Sequence, residues 1–457
     1  MAINLLEKYS RQLRCADAYL TKNSRDTMSS NTKLTTAILL ENTDKFITRR
    51  MNESLSTTRS DLGDWKRFCL NLTNLAVPSL IANDLVIVKP MASYHGSVAY
   101  LQYVAKTDKN NLKANETELN GVFGLGEANR DRMQYTSQAV VELIKDTDTS
   151  FTPSFEVAKD ASGNSTLEVL NAKEAKWEAY TAGTTFTAGT YTKARYKYKN
   201  FDMETVPATD IPTIGPVVRE IALIAKPRRI AVRYDQITAF QAQTDYDIPL
   251  EKQIAEQAVG ELSYEIDTEV VDMLYDGAFK DEGGAAKTDV LEWNKRRPIG
   301  ISKYEHYNDF LEMIEEAKAL VYKRTNKFTC NYMVISPEIL PIVKFVKGFE
   351  PAKVTKMNGP YKAGEIDGLG VYVSPYLTAE ADNAGIGFFG LKGDDMMSAA
   401  GLMAPYMAIV PTQLLGTPDG GLSQGFSTWY ATALLNRNLL VGFKVVDKAY
   451  SDEASEG

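Results

Sequence analysis

The sequence predicts an α+β protein, in which strand-forming and helix-forming stretches follow one another in blocks instead of alternating as βαβ units. Three observations carry that expectation. Residues 192–200 and 221–234 alternate apolar and polar side chains with the period of two that a half-buried strand requires. Residues 249–276 keep apolar side chains at helical spacing without a break. Beyond residue 324 the chain breaks into short strand-like runs punctuated by Gly and Pro.

Taken in order, the first 65 residues are polar and rich in Ser, Thr, Asn and Arg, with Ile38, Leu39, Phe46, Ile47 and Met51 on one helical stripe. One or two helices with little core of their own are predicted there. Residues 110–213 turn to Thr, Gly, Ala, Tyr and Lys, with a turn signal at Ala161-Ser162-Gly163-Asn164 and a near-repeat of Thr181-Ala182-Gly183-Thr184 by Thr187-Ala188-Gly189-Thr190. This reads as a strand-rich insertion. Its clearest strand, 192–200, sets Ala194, Tyr196 and Tyr198 on one face and Lys193, Arg195, Lys197 and Lys199 on the other. From Val217 an extended run alternates Ile221, Leu223 and Ala225, then Ile230, Val232 and Tyr234, and Pro227 marks an edge or a bulge. A long helix follows, opening near Asp247 and Pro249, burying Leu250, Ile254, Ala258, Leu262, Ile266, Val270 and Leu274, and stopping at Gly277. At 1.5 Å per residue it spans roughly 40 Å, a strut for a large flat domain. A second amphipathic helix over 308–324 buries Phe310, Ile314, Ala317 and Val321, with its acids early and Lys323 and Arg324 late, as the helix dipole prefers. Short strands at 332–335, 371–373 and 439–446 complete the chain.

The composition narrows the chemistry. The chain has 457 residues, 44% hydrophobic and 24% charged, enough for a sizeable core, and a net charge of −8 that disfavours attraction of the whole to nucleic acid or an anionic membrane. It has two histidines, His95 and His306, and three cysteines, Cys15, Cys69 and Cys330, with no Cys-x-x-Cys spacing, so zinc-knuckle and redox motifs are excluded and a reducing compartment is expected. The charged amino terminus does not read as a signal peptide. Residues 396–418 run 23 positions without a charge, but Gly401, Pro405, Pro411, Gln413 and Gly416 would interrupt a spanning helix, so this is read as buried core.

Each candidate motif also fits a plain structural role. Gly421-Leu422-Ser423-Gln424-Gly425 fits the G-x-S-x-G nucleophile elbow, but both histidines precede Ser423 and the following residues read as a strand instead of the required helix. Gly121, Gly124 and Gly126 lack the dinucleotide spacing and read as a loop. Gly393-Asp394-Asp395 fits a turn after a strand as well as a paired-aspartate metal site. His95 and His306 have no second ligand at metal spacing and read as surface or packing residues. The basic strand, with Lys226, Arg228, Arg229 and the trio Lys295, Arg296 and Arg297, suits solvated faces, an acidic partner, or contacts between copies of a net-acidic chain. Lys193, Arg195, Lys197, Lys199, Arg228 and Arg229 are the candidate subunit-interface residues. No catalytic, metal or cofactor residue is expected.

Three ordered segments resemble the major capsid proteins of tailed bacteriophages, most closely the T-even-type myophage branch of the Hong Kong 97-type shell fold. The first runs from Pro78-Ser79-Leu80-Ile81-Ala82-Asn83-Asp84 through Val88-Lys89-Pro90-Met91 to Gly96 and Tyr103-Val104. The second is Ala225-Lys226-Pro227-Arg228-Arg229, Val232-Arg233-Tyr234, and the long helix with Glu265-Ile266 and Glu269-Val270-Val271-Asp272. The third joins Val334-Ile335-Ser336-Pro337, Val371-Tyr372-Val373, Gly390-Leu391-Lys392-Gly393, Ala400-Gly401-Leu402, Pro405-Tyr406 and Gly425-Phe426-Ser427-Thr428.

The resemblance implies an amino-terminal arm (1–65), a lead into the peripheral domain (66–84), and an extended β-loop (85–225) carrying the insertion (113–215). It then implies a peripheral domain (226–324) with a spine helix (249–276), an axial domain (325–420), and return strands with an acidic tail (421–457). The implied function is a structural head protein that self-assembles into hexameric capsomers of an icosahedral shell. That shell encloses double-stranded DNA without specific binding, and vertex, scaffold, portal and decoration proteins are possible partners. No cofactor and no membrane are implied. The location is the virion, with the host cytoplasm during assembly. Branch members lose an amino-terminal segment to a protease that cuts after Glu before a small residue, whereas Leu5-Leu6-Glu7 and Leu39-Leu40-Glu41 are followed here by Lys8 and Asn42. Two other classes stay open at this point: a tail-tube, sheath or decoration protein of the same kind of virion, and a serine hydrolase using Ser423.

Overall fold

The computed structural model describes residues 2–22, 28–53, 69–70, 73, 77, 80–106, 139–154, 156–159, 163–197, 213–247, 250–281, 283–325, 327–352, 359–377, 383–412, 415–416 and 421–448. The chain divides into two compact units. One comprises Met1–Val98, Glu220–Tyr322 and Phe328–Gly457, the other Ala99–Arg219 and Lys323–Lys327.

Helices α1 (Ala2–Lys8), α2 (Ser10–Lys22) and α3 (Ser30–Glu53) come first, then a single turn, α4 (Ala82–Leu85), and the short strand β1 (Ile87–Val88). Strand β2 (His95–Ala105) leads away, followed by β3 (Ala139–Leu143), β4 (Glu168–Asn171), β5 (Trp177–Ala179) and β6 (Tyr191–Lys197), and β7 (Ile214–Ile224) returns. Next come β8 (Lys226–Asp235), α5 (Gln236–Tyr246), α6 (Leu250–Phe279), β9 (Leu291–Asn294), α7 (Lys303–Asn308) and α8 (Phe310–Thr325). The carboxyl-terminal part holds β10 (Tyr332–Ile335), α9 (Leu340–Phe345), β11 (Glu350–Pro351), β12 (Tyr361–Ile366), β13 (Leu369–Val373), β14 (Asn383–Gly390), β15 (Gly401–Pro411), β16 (Leu415–Gly416), β17 (Gly421–Leu434) and β18 (Val441–Val446).

The amino-terminal helices depart from expectation by having a core. Leu13, Ala16 and Leu20 repeat at helical spacing along α2 and bury with Tyr9, Met28 and Leu70 against Ala37 and Leu40 of α3. On the stripe read from the sequence, Leu39 and Ile47 are buried, and Leu39 packs with Val77 and Ala408. The Asn42 side-chain amide donates to the backbone oxygens of Met91 and Tyr406, each at 2.9 Å, which pins α3 beside β15.

Within the first unit the described strands form two sheets. In one, β1, β15, β17 and β16 lie in that order, and β8 pairs with β17. Pro227 sits on β8 opposite Trp429, and β8 is an edge strand, where a missing N–H is tolerated. The other sheet runs β11-β12-β13-β10-β14-β18-β9, with β10 parallel to β13 and β9 parallel to β18. All four residues of β10 are buried, as expected for a central strand covered on both faces. Strands β12 and β13 are joined by Asp367-Gly368, whose φ values of 48° and 74° give the left-handed two-residue turn that matches strand twist. Within the charge-free stretch, residues 401–411 form β15, almost wholly buried, whereas Leu415 and Gly416 of β16 are exposed and residues 413–414 and 417–418 lie outside the described residues. Among the described residues no helix is long and apolar enough to cross a membrane.

Helix α6 is the longest described element, at 30 residues. Its first half buries Ala255, Ala258, Val259 and Leu262 against Ile409 and Phe426, and its second half buries Ile266, Val270, Val271, Leu274 and Ala278 in the main core. Pro249 lies outside the described residues. Gly277 does not end the helix as expected. A Cβ there would lie 2.8 Å from Cδ1 of both Leu434 and Leu440, so glycine serves a close approach to neighbouring side chains instead of a stop. The helix expected at 308–324 is α8, and an additional short helix, α7, precedes it, started by a capping box between Ser302 and Glu305. Phe310, Ile314, Ala317 and Val321 are fully buried, as their spacing predicts. Helix α5 was not expected. Asp235 caps its amino terminus through the Ile237 amide, Asp247 closes it at φ 53°, and it buries no residue.

In the second unit, β3, β6, β4 and β5 pair in that order. One face packs Val140, Leu167, Val169, Ala194 and Tyr196 with Phe151 and Tyr180. Strands β2 and β7 pair as a ribbon.

Candidate functional site

The basic strand is placed by its own alternation. Ala194 and Tyr196 are buried at 0% and 2%, which turns Lys193, Arg195 and Lys197 to the opposite face. Lys199 and Tyr198 lie outside the described residues. Arg195 is not a free contact group. Its Nε donates to Glu168 at 2.5 Å, and its guanidinium lies 4.2 Å from the Trp177 ring centroid, so β4 and, beyond it, β5 already satisfy it. Among the described residues Lys193 and Lys197 make no ion pair.

Arg228 and Arg229 fall in the other compact unit, so the six candidates do not belong to one described body. One nitrogen of Arg228 donates to both Glu269 carboxylate oxygens at 2.8 Å, and its guanidinium lies 5.2 Å from the Tyr430 ring centroid. Tyr430 donates its hydroxyl to the same carboxylate. Burial, reinforced by that hydrogen bond, holds the Tyr430 phenol well above its ordinary value, so it stays a donor. Arg228 is thus an internal anchor between β8, β17 and α6. Arg229 on the alternate face is exposed and lies 5.9 Å from the Trp429 ring centroid. Reading the sequence missed Glu168, Trp177, Glu269 and Tyr430 as partners. The signal in each case is an acid or ring at a position that strand or helix period turns toward the arginine, visible only once the strands are paired.

The other motifs resolve into packing. Ser423 lies inside β17, paired with Arg233 on one side and Leu415 on the other, so it is on no strand-to-helix elbow. Gly393, Asp394 and Asp395 form a turn after β14, where Asp395 and Ser398 make a capping box. His306 is buried, stacked on Trp293 at 4.9 Å, with Nε2 2.9 Å from the Asn294 backbone oxygen. His95 is exposed beside Tyr94. Gly121, Gly124 and Gly126 lie outside the described residues. Leu39-Leu40-Glu41 is helical, with both leucines buried.

The charged side chains described above anchor strands or line open faces. Residues 62–456 match the family model described as "Major capsid protein Gp23". The chain belongs to that family of capsid proteins. It is a major capsid protein, part of a virion, and it associates with copies of itself. The α+β class read from the sequence is the observed one, and family membership carries the Hong Kong 97-type shell fold that the resemblance named. No curated protein sequence matches the chain. Among solved structures it is similar to a protein of Microbacterium phage Oxtober96, at 10% identity and TM-score 0.36 over 80% of this chain and 91% of that one. It is also similar to the capsid of Myoviridae phage XM1, at 12% identity and TM-score 0.34 over 67% and 97%. A third is the capsid structure of the cyanophage P-SCSP1u, at 12% identity and TM-score 0.33 over 67% and 91%. The family assignment rests on the family model and not on these likenesses.

Proposed function

We propose that the chain forms hexameric capsomers that close into an icosahedral head around double-stranded DNA. The observation that carries the reading is the family match, which extends over residues 62–456 and so takes in most of both compact units. In this reading residues 1–65 are the arm and 66–84 the lead into the peripheral domain. Residues 85–225 form the extended loop, with its insertion at 113–215. Residues 226–324 are the peripheral domain, 325–420 the axial domain, and 421–457 the return strands and acidic tail. Weak contacts repeated by symmetry sum to a stable shell. The net charge of −8 keeps the packaged nucleic acid from binding the wall tightly. Assembly takes place in the host cytoplasm, with scaffold, portal, vertex and decoration proteins as further partners, and the protein carries out no catalysis.

Negative-stain microscopy of the purified or scaffold-co-expressed protein tests this. Hexamers or closed shells are the expected result, and a persistent monomer would overturn the reading. Lys193, Lys197 and Arg229 are the open cations of this reading and contact neighbouring copies. Lys193→Glu combined with Lys197→Glu should lower particle yield at low salt and do so less at high salt. An unchanged yield would leave them as solvated lysines.

A further inference from the structure

Two surfaces of the first compact unit leave large apolar side chains exposed. The first is the loop between β9 and α7. Ile299 is 98% exposed at its tip, Tyr304 is 55% exposed, and Lys295, Arg296, Arg297 and Lys303 are all exposed around them. Gly300, at φ 93°, turns the backbone at the tip. Glu305 accepts from the Ser302 amide and hydroxyl in the capping box. The second surface is α5. Ile237 and Phe240 are 65% and 71% exposed and lie three residues apart on one side of the helix. Asp245 and Asp247 are exposed at its carboxyl-terminal end, where the helix dipole adds further negative charge.

We infer that the 295–304 loop of one copy docks on α5 of a second copy, with Ile299 and Tyr304 against Ile237 and Phe240 and with Arg296 and Arg297 facing Asp245 and Asp247. The occupant is argued from complementarity: this chain carries both an apolar tip ringed by cations and an apolar helix face ending in anions. Exposed apolar groups of this size mark contact surfaces. The two patches differ, so the contact is heterologous, the kind that builds a ring where its rotation closes. The inference rests on the capsid reading and supplies it with a specific contact between copies.

The test uses the full chain. Ile299→Cys and Phe240→Cys are made separately, each with Cys15→Ser because Cys15 is the exposed native thiol. The two variants are co-expressed, assembled into particles, oxidised, and resolved by mass. A disulfide-linked dimer holding one chain of each kind is the expected result. In parallel, Arg296→Glu with Arg297→Glu should lower particle yield about tenfold, and Asp245→Lys with Asp247→Asn in the same chain should restore it. Asparagine is chosen at 247 because it tolerates the left-handed backbone there. Normal particles without the mixed dimer, or an equally strong dimer from either variant alone, would overturn the inference and leave the capsid reading standing. Absence of particles from the unmodified chain would remove both.

Discussion

Glu269 of α6 and Arg228 of β8 are joined by two hydrogen bonds of 2.8 Å that converge on one guanidinium nitrogen, and Tyr430 of β17 donates to the same carboxylate. The long helix is thereby tied to two strands of its sheet at one point. The pair is about one-third exposed, so its worth is that of a partly screened charged network. Glu269→Ala should cost about 1–2 kcal/mol in unfolding free energy, and Arg229→Ala, on the outer face, less than about 1 kcal/mol. Denaturant unfolding of the unassembled chain measures both, and equal costs would contradict the anchor.

The two glycines of α6 should respond in opposite directions. A Cβ at Gly260 meets nothing within 4 Å, so Gly260→Ala should stabilise by about 0.5–1 kcal/mol through helix propensity alone. At Gly277 the added carbon would lie 2.8 Å from two buried-face leucines, and Gly277→Val should destabilise by about 1–3 kcal/mol. Thermal unfolding of the pair decides it, and a neutral Gly277→Val would refute the close approach.

Acid should loosen the first helix. Glu41 accepts from Lys8 Nζ at 2.5 Å and from the Tyr9 hydroxyl at 2.9 Å, and the Lys8 bond above all holds its carboxyl below the ordinary carboxylate range. A depressed folded-state value stabilises above the unfolded-state value of about 4.3, and the stabilisation is lost as pH falls through the folded one. Lys8 is half exposed, so the effect is about 0.2–1 kcal/mol. Hydrogen-exchange protection across α1, taken relative to the intrinsic exchange rate at each pH, should fall in acid in the native chain, and Glu41→Gln should show the lower protection at neutral pH as well. Equal α1 protection in the two chains at neutral pH would rule out the latch.

The three thiols should separate by reactivity. Cys15 is exposed, whereas Cys69 and Cys330 are buried at 0% and 5%, and burial pushes the Cys69 thiol up to about 12. A thiol reagent at mildly alkaline pH should modify Cys15 alone in the native chain and all three after denaturation. Native labelling of Cys69 would contradict its placement.

Much of this architecture was legible where one face of an element is buried. The apolar positions of α6 and α8, the two faces of β6 and the edge position of Pro227 all follow from period and from the missing proline N–H. Legibility failed where burial gives no pattern. Helix α5 buries nothing and so writes no stripe. Gly277 carries the residue type of a stop but answers to two leucines more than 150 positions away. The Asp367-Gly368 turn is a readable hairpin signal between two strands. In the candidate site, the faces of Lys193, Arg195 and Lys197 could be read from alternation. That Arg195 and Arg228 are held inside the chain could not, since Glu168 and Glu269 come from other elements.

The pairing of β17 with β8 has a consequence for when the protein can fold. It sets Tyr430 opposite Lys226, and β1 sets Ile87 beside Leu402, so the sheet needs strands that are hundreds of positions apart. Such non-local pairings form slowly. At about 5–20 residues per second, 457 residues take about 20–90 s to synthesise, and the last strand of this sheet emerges near the end. Until then the apolar β15 lacks its long antiparallel partner, β17. The sheet therefore closes only after β17 has been made, and a chain cannot take its place in a head before that step.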